Sequence, residues 1–140
     1  PDTGPFKCTL TPGMPAADAP IIVNGNQAWL IDLLHSGFSG LFFCGRHGLS
    51  EEEVKTLHAL LIQPIPIAAI IVAPASPHTN FQAPSRTQLI QDPEGTLAQR
   101  YDGKPGTYYL FRPDQHICAR WRTLDSHNIL HALTRATCNG

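Results

Sequence analysis

The sequence of 140 residues is poor in charge, has few cysteines and contains no long apolar run. Charged residues make up 15% and hydrophobic residues 42%, the composition of a folded globular chain rather than a disordered one. A formal charge of −1 provides no basic surface for nucleic acid or for an acidic membrane. No apolar run approaches the ~20 residues of a membrane-spanning helix, and no signal peptide is recognisable. We therefore expect a globular protein in the cytoplasm, with neither nucleic acid nor membrane as partner.

Cysteine spacing and missing motifs exclude several chemistries. An even number of cysteines permits two disulfides, but the dense framework of a secreted scaffold is absent; the four are Cys8, Cys44, Cys118 and Cys138. The sequence has no Gly-x-Gly-x-x-Gly, no phosphate-binding loop and no Gly-x-Ser-x-Gly. Neither dinucleotide binding nor serine hydrolysis is therefore supported. A reduced protein is the better interpretation.

A predicted β-hairpin at residues 107–121 organises the rest of the chain. Aromatic and branched residues precede a Pro113-Asp114 turn signal, and apolar residues resume after it. A three-residue loop would pair Arg112 with His116, Phe111 with Ile117, and Tyr109 with Ala119. Alternation then predicts one apolar face and one more polar face. The apolar face would hold Thr107, Tyr109, Phe111, Ile117, Ala119 and Trp121; the more polar face would hold Tyr108, Leu110, Arg112, His116, Cys118 and Arg120.

Two helices with start signals would cover the sheet. Asp125 or Ser126 can cap the last helix, whose apolar stripe comprises Ile129, Leu130, Leu133 and Ala136. An earlier helix begins after Ser50, because Ser50 and Glu53 have the spacing of a capping box. Its buried stripe would be Val54, Leu57 and Leu61, and Pro64 would end it.

Short apolar segments predict the strands. Residues 67–73 form an unbroken apolar run, which is typical of a parallel strand covered on both faces. Together with a strand at residues 41–44 and the helix between them, this run predicts a right-handed βαβ unit. The remaining predictions are a strand at 21–23 turned by Asn24-Gly25, a helix at 27–35, an irregular loop at 74–85, a strand at 89–90 and a short helix at 97–101.

The predicted order is β-α-β-α-β-(α)-β-β-α, which is the thioredoxin-like order, and residues 91–116 also resemble the second half of a thioredoxin. We therefore predict an α/β, thioredoxin-like fold: a central mixed sheet, helices on both faces, and a C-terminal hairpin plus helix. Residues 1–20, rich in proline, would form an extended lead segment, and residues 21–140 a single domain. The Pro, Ala and Met residues of the lead segment suit docking along a partner surface.

This fold raises a redox hypothesis centred on Cys44. Dithiol exchange needs two cysteines separated by two residues, since one thiolate attacks and the other resolves the mixed disulfide. Cys44 occupies the first position, but His47 occupies the second. The element order resembles that of the redox family, in which a cis-proline lies immediately before the threonine that opens the fourth strand. In this sequence Gly106 occupies that position, and Pro105 lies one residue before it. The parts needed for dithiol exchange are therefore incomplete.

A one-cysteine chemistry stays open beside a structural role. Arg46 and His47 could lower the pKa of Cys44 and make its thiol nucleophilic. The peroxiredoxin family, however, has a Pro-x-x-x-Thr-x-x-Cys pattern, and the residues before Cys44 supply neither that proline nor that threonine. The other interpretation is a buried, small apolar residue at a strand end. We predict no catalytic, cofactor-binding or metal-binding residue in this chain.

Two further groups of residues have simple structural interpretations. His127 and His131 lie one helical turn apart, a spacing that can bind zinc, but Asn128 replaces the glutamate of zinc proteases and no third ligand is suggested. The hairpin also carries three arginines that could bind an anion. Pairing with Asp114 or Asp125, or stacking of Arg120 on Tyr108, is the alternative for Arg112, Arg120 and Arg122.

Two stretches resemble a known family: Pro-Gly-Met-Pro-Ala-Ala-Asp-Ala-Pro at residues 12–20 and Leu-Phe-Arg-Pro-Asp-Gln-His-Ile-Cys-Ala-Arg-Trp at residues 110–121. They look like motifs of the carboxy-terminal domain of flavin-dependent aromatic-ring hydroxylases, the phenol-hydroxylase-like monooxygenases. There the first motif opens the domain and an Arg-Pro-Asp-Gly-His-Val-like turn forms the last hairpin. The resemblance covers almost the whole chain. Gln115 stands where that family commonly has Gly, and a non-glycine residue at a left-handed turn position costs about 1 kcal/mol.

The resemblance implies a parent enzyme that uses FAD, NAD(P)H and oxygen to hydroxylate an aromatic ring. The flavin and the substrate would lie in preceding domains, so this chain would hold no cofactor. The resemblance implies a non-catalytic accessory domain that packs on those FAD and substrate domains and that, in some members, contributes to a homodimer. The alternative is a stand-alone thioredoxin- or peroxiredoxin-like thiol protein that acts through Cys44.

Overall fold

The computed structural model describes residues 6, 10–34, 37–45, 48–73 and 87–138. Seven strands of this part of the chain form one mixed sheet in the order β2-β1-β5-β4-β3-β6-β7, with four helices. In chain order the elements are β1 (Pro20–Val23), β2 (Asn26–Trp29), α1 (Leu30–Leu33), β3 (Phe38–Phe43), α2 (Glu51–Ile62), β4 (Ile67–Val72), β5 (Gln88–Gln91), α3 (Thr96–Tyr101), β6 (Tyr108–Phe111), β7 (Ile117–Trp121) and α4 (Ser126–Cys138). The loop predicted at residues 74–85 lies outside the described residues.

The centre of the sheet is the parallel pair β3 and β4, as the apolar runs predicted. All six residues of β3 are buried, and β4 is buried except for Ala68, which is partly covered. β4 also pairs in parallel with β5, whereas β6 runs antiparallel to both β3 and β7. Because the central strands are apolar on both faces, each face has its own core cluster.

The two long helices begin where their capping residues predicted. The hydroxyl of Ser50 accepts a hydrogen bond from the backbone N–H of Glu53 (3.1 Å), and the backbone N–H of Ser50 donates to Glu53 Oε1 (2.9 Å), completing the capping box of α2. Asp125 Oδ1 accepts from the backbone N–H of His127 (2.9 Å), which caps α4. α2 and α4 cover the same face of the sheet, through Leu57, Leu60, Ile129 and Leu133.

The helix predicted at residues 27–35 is wrong in its first part. Asn24 and Gly25 both have positive φ, 52° and 79°, which is the backbone of a tight hairpin turn. This turn places residues 26–29 in β2, antiparallel to β1, with Ile21 opposite Ala28. Only Leu30–Leu33 remain helical. The helical spacing of the apolar residues was overridden by the turn, and residue 35 lies outside the described residues.

The predicted register of the β6–β7 hairpin is half right. Phe111 pairs with Ile117 as expected, but Leu110 rather than Tyr109 pairs with Ala119, because a bulge shifts the register between Leu110 and Phe111. The bulge moves Ala119 and Trp121 to the face covered by α2 and α4. The prediction of a more polar face is therefore wrong, since three of its residues, Tyr108, Leu110 and Arg120, are buried.

The hairpin loop contains a left-handed residue at position 115, where the family that the sequence resembles commonly has glycine. Gln115 has φ of 66°, a left-handed conformation that favours glycine, and its N–H donates to Arg112 O (2.9 Å). The Gln115 side chain donates from Nε2 to Leu34 O (3.1 Å), so it ties the turn to the end of α1. This hydrogen bond offsets part of the strain, because glycine could not form it.

Residues 10–19, here called the strap, lie across the edge of β7 and the hairpin tip. The N–H of Gly13 donates to Ile117 O (2.7 Å), and the N–H of Ile117 donates to Met14 O (2.8 Å). Both ends of the strap are buried in the core cluster on the face opposite α2 and α4. The lead segment was expected to suit docking along a partner surface. Its residues 10–19 contact the sheet of their own chain.

Candidate thiol site at the carboxyl edge of the sheet

Cys44 lies where a thioredoxin-like fold would place its first sulfur. It follows directly after β3, and its N–H donates to Val72 O (3.1 Å) at the end of the neighbouring β4. Ligands of open α/β sheets bind at this carboxyl edge. A groove of about 430 Å³ opens there, and its lining includes Cys44, Ala73, Asp92, Pro93, Lys104 and Pro105.

The environment of Cys44 keeps its thiol protonated. The residue is 8% exposed, and burial raises its pKa from 9.0 to about 11, with the carboxylate of Glu53 adding to the effect and the backbone N–H of Gly45 opposing it. At neutral pH the thiolate, which is the nucleophile, is therefore almost absent. Glu53 was predicted only as a helix cap, and sequence spacing carried no signal that it also acts on Cys44.

The loop that follows α3 supplies the other wall of the site. The N–H of Gly106 donates to Phe43 O (2.8 Å), so the position expected to hold a cis-proline does lie beside the end of β3. Gly106 has φ of 97°, and a Cβ there would lie 2.9 Å from Arg122 O. No peptide bond among the described residues is cis. The position is shaped for glycine rather than for the proline of a redox site.

Among the described residues, the polar groups around Cys44 do not form an activating network. Asp92 accepts hydrogen bonds from the N–H groups of Leu97 (3.1 Å) and Ala98 (2.9 Å), so its carboxylate satisfies the start of α3. Arg46 and His47, proposed to lower the pKa of Cys44, lie outside the described residues. Burial thus dominates the chemistry of this thiol in the part of the chain that the structure describes.

In the described part of the chain, no further ligand joins the two histidines of the zinc hypothesis. His127 and His131 are exposed on α4. Among the described residues, no group of three or more His, Cys, Asp or Glu side chains is arranged to hold a metal ion. These two residues are polar positions beside the apolar stripe of the helix.

Each of the three hairpin arginines contacts another side chain of the chain itself. Arg112 donates to Asp114 from Nε (3.2 Å) and Nη2 (2.6 Å), as predicted. Arg120 is buried and lies over Phe6 rather than Tyr108, with its guanidinium carbon 4.2 Å from the ring centroid. Arg122 forms an ion pair with Asp102.

A larger groove of about 760 Å³ lies between the hairpin tip and α4. Its floor is mostly apolar and its lining includes Phe38, Arg112, Ile117, Cys118, Ala132 and Arg135. Cys118 is half-buried there, and burial raises the pKa of its thiol. Neither groove therefore presents a cysteine with a lowered pKa.

None of the described helices has the length and apolar character that crossing a membrane requires.

Comparison with known proteins gives structural neighbours alone, because the sequence matches no protein-family profile and no curated relative. The flavin-dependent monooxygenase PieE, solved with FAD and substrate, has a TM-score of 0.67 at 16% identity over 93% of this chain and 20% of its own. Aklavinone-11 hydroxylase, solved with FAD and aklavinone, has a TM-score of 0.61 at 21% identity over 89% of this chain and 21% of its own.

A peroxidoxin, BcpB from Mycobacterium tuberculosis, is similar over its whole length. Its TM-score is 0.63 at 17% identity, covering 91% of this chain and 97% of its own. The present chain thus spans about a fifth of the length of the two flavin enzymes but nearly all of the peroxidoxin. A thioredoxin-like protein is also among the matching structures. These similarities confirm the predicted α/β, thioredoxin-like fold.

Proposed function

We propose that this chain is a non-catalytic accessory and dimerisation domain of a FAD-dependent aromatic hydroxylase. The observation that carries the proposal is the state of Cys44: one buried thiol, with its pKa raised to about 11, stands at the position of a redox sulfur. His47 takes the place of the second sulfur in the sequence. Dithiol exchange requires two sulfurs and a reactive thiolate. A domain that has a single protonated thiol at this position is better suited to contact with neighbouring domains than to electron transfer.

The identity of the parent rests on two agreements. The motifs at residues 12–20 and 110–121 resemble those of the aromatic hydroxylases, and both segments meet in the structure, where Gly13 and Met14 bond to Ile117. Two flavin-dependent enzymes solved with FAD are also similar in fold over a fifth of their length. The remaining four fifths of such a parent would contain the flavin and substrate domains, which are the proposed partners of this chain.

FAD and NAD(P)H belong, in this proposal, to the preceding domains. The chain has no Gly-x-Gly-x-x-Gly stretch to hold a dinucleotide pyrophosphate. In the groove beside Cys44, the carboxylate of Asp92 is already bonded to the N–H groups at the start of α3. These residues do not fit a flavin, and we assign no step of the hydroxylation to them.

The coding sequence upstream of Pro1 tests the parent class. We expect a nucleotide-binding fingerprint in that region, and we expect the isolated chain, expressed with excess riboflavin, to purify without the flavin absorbance near 450 nm. An upstream region without that fingerprint, or flavin bound stoichiometrically to these 140 residues, would contradict the proposal.

The alternative function is a stand-alone thiol redox protein that acts through Cys44. What favours it is the position of Cys44 in a groove at the carboxyl edge, together with the whole-length similarity to a peroxidoxin. Peroxide and disulfide reduction assays on the wild type and on Cys44→Ser separate the two proposals. The accessory-domain proposal predicts no turnover in either protein, whereas turnover that Cys44→Ser abolishes would establish the alternative.

A further inference from the structure

The strap is held mainly through its backbone. The Tyr101 hydroxyl donates to Ala17 O (2.6 Å), and Arg120 donates from Nη1 to Leu10 O. Both donors belong to the domain, and both acceptors are strap carbonyls. Recognition of carbonyl groups does not depend on side chains, so the contacts select an extended backbone rather than a particular sequence.

The edge of the hairpin adds strand-like contacts to the same segment. Gly13 and Met14 exchange two hydrogen bonds with Ile117, and the N–H of Ala16 donates to Gln115 O (2.8 Å). An edge strand presents unpaired N–H and C=O groups, which a further extended segment can satisfy. The strap acts here as that segment.

Beneath the strap lies a group of buried aromatic and apolar side chains, here called the aromatic floor. Tyr101, Tyr109, Phe111 and Ile117 are fully buried, and Ala16 and Ala17 of the strap are among the residues packed against their cluster. α1 and α3 contain four and six residues and cover this face less than α2 and α4 cover the other. Small strap side chains allow the backbone to approach this floor closely.

We propose that this surface is a receptor for an extended, proline-containing segment with small side chains, and that the strap occupies it in cis. The receptor comprises the outer edge of β7, the Gln115 carbonyl, the Tyr101 hydroxyl and the Arg120 guanidinium. A free segment of the strap's sequence binds there whenever the strap opens. Its apparent affinity equals the intrinsic affinity multiplied by the open fraction, so opening controls binding.

Two glycines provide a matched pair of variants. Gly13, in the strap, has φ of 95°, and Gly25, in the β1–β2 turn, has φ of 79°; a Cβ added at either position meets nothing within 4 Å. Alanine therefore introduces the same kind of backbone strain at both sites and no steric contact. Only Gly13→Ala strains the closed strap.

The experiment measures binding of a fluorescent synthetic peptide of residues 10–19 to the full chain by anisotropy. We expect Gly13→Ala to bind the peptide about fivefold more tightly than the wild type, from the strain that a left-handed alanine brings. Gly25→Ala should match the wild type. Ala16→Pro, which removes a strap N–H instead, should also increase binding.

A change in the peptide distinguishes this surface from any other. A peptide that carries the Gly13→Ala change should bind the Gly13→Ala protein about fivefold less tightly than the unchanged peptide, because the strain then lies in the ligand while the open fraction of the strap stays the same. Equal peptide binding by the wild type, Gly13→Ala and Ala16→Pro would overturn the proposal. So would tighter binding that does not depend on the change in the peptide.

Discussion

The guanidinium carbon of Arg122 lies 3.7 Å from the ring centroid of Phe6, and that of Arg120 approaches the same ring at 4.2 Å. Arg122 is also held by polar contacts, because it forms an ion pair with Asp102 and donates to Thr107 Oγ1 (2.9 Å). One aromatic ring thus joins the beginning of the chain to the base of the hairpin that organises the sheet.

Replacing Phe6 with leucine should lower the free energy of unfolding by about 1–2 kcal/mol, because two cation–π contacts are lost while apolar volume is largely kept. Urea unfolding followed by tryptophan fluorescence measures the change. Phe6→Tyr keeps the ring and serves as the control. Identical unfolding curves for Phe6→Leu and the wild type would show that the contact contributes nothing.

Gly40→Ala should be one of the most destabilising small substitutions in the chain. A Cβ at position 40 would overlap the side-chain hydroxyl of Tyr108, which is buried against β3. Overpacking of this kind typically costs about 1–3 kcal/mol. The same substitution should cost less in a Tyr108→Leu background, which lacks both the hydroxyl and the ring carbons that a Cβ at position 40 would overlap, as thermal unfolding of the single and double variants measures. An equal cost in both backgrounds would place the strain elsewhere.

Asp114 should stay ionised down to strongly acidic pH. Its hydrogen bonds from the Arg112 guanidinium, the largest cause, and from the His116 N–H lower its pKa from 3.8 to about 2. Because the pKa is lower in the folded state, the stabilisation is present above pH 4 and is lost as pH falls toward 2. Carboxyl carbon NMR shifts measure the midpoint. Arg112→Ala should raise it toward 3.8, and an unchanged midpoint would contradict the assignment.

The sequence predicted those parts of the fold that local chemistry determines. The capping box of Ser50, the Asp125 cap and the apolar run of β4 each carry their own signal within a few residues, and the structure contains all three. The hairpin turn was also predicted; a left-handed residue at its end was only one of the possible geometries, and Gln115 adopts it in place of glycine.

Features set by long-range packing were not predictable. The bulge in the β6–β7 hairpin reverses the faces of Ala119 and Trp121, and no local signal marks it. At residues 27–29 the Asn24-Gly25 turn overrides a helical pattern, since the pairing of β2 with β1 outweighs local propensity. At the candidate site, the position of Cys44 was predicted from the element order. Its raised pKa depends on burial and on Glu53, which only the folded chain brings together.

Stability should fall with rising pH through the same thiol. Cys44 holds its proton more tightly in the folded state than at its ordinary pKa of 9.0, so folding is favoured least at alkaline pH. Between pH 9 and 11 the unfolding free energy of the wild type should decrease more steeply than that of Cys44→Ala. Parallel pH profiles for the two proteins would contradict the raised pKa.

Whether this domain has lost thiol chemistry is tested by the pH dependence of Cys44 alkylation by iodoacetamide, read at that residue by peptide mass spectrometry. A domain that has no thiol chemistry should show a midpoint near 11, and Glu53→Gln should move the midpoint downward. A midpoint below about 7.5 would reveal an activated thiolate of the catalytic kind and contradict the account.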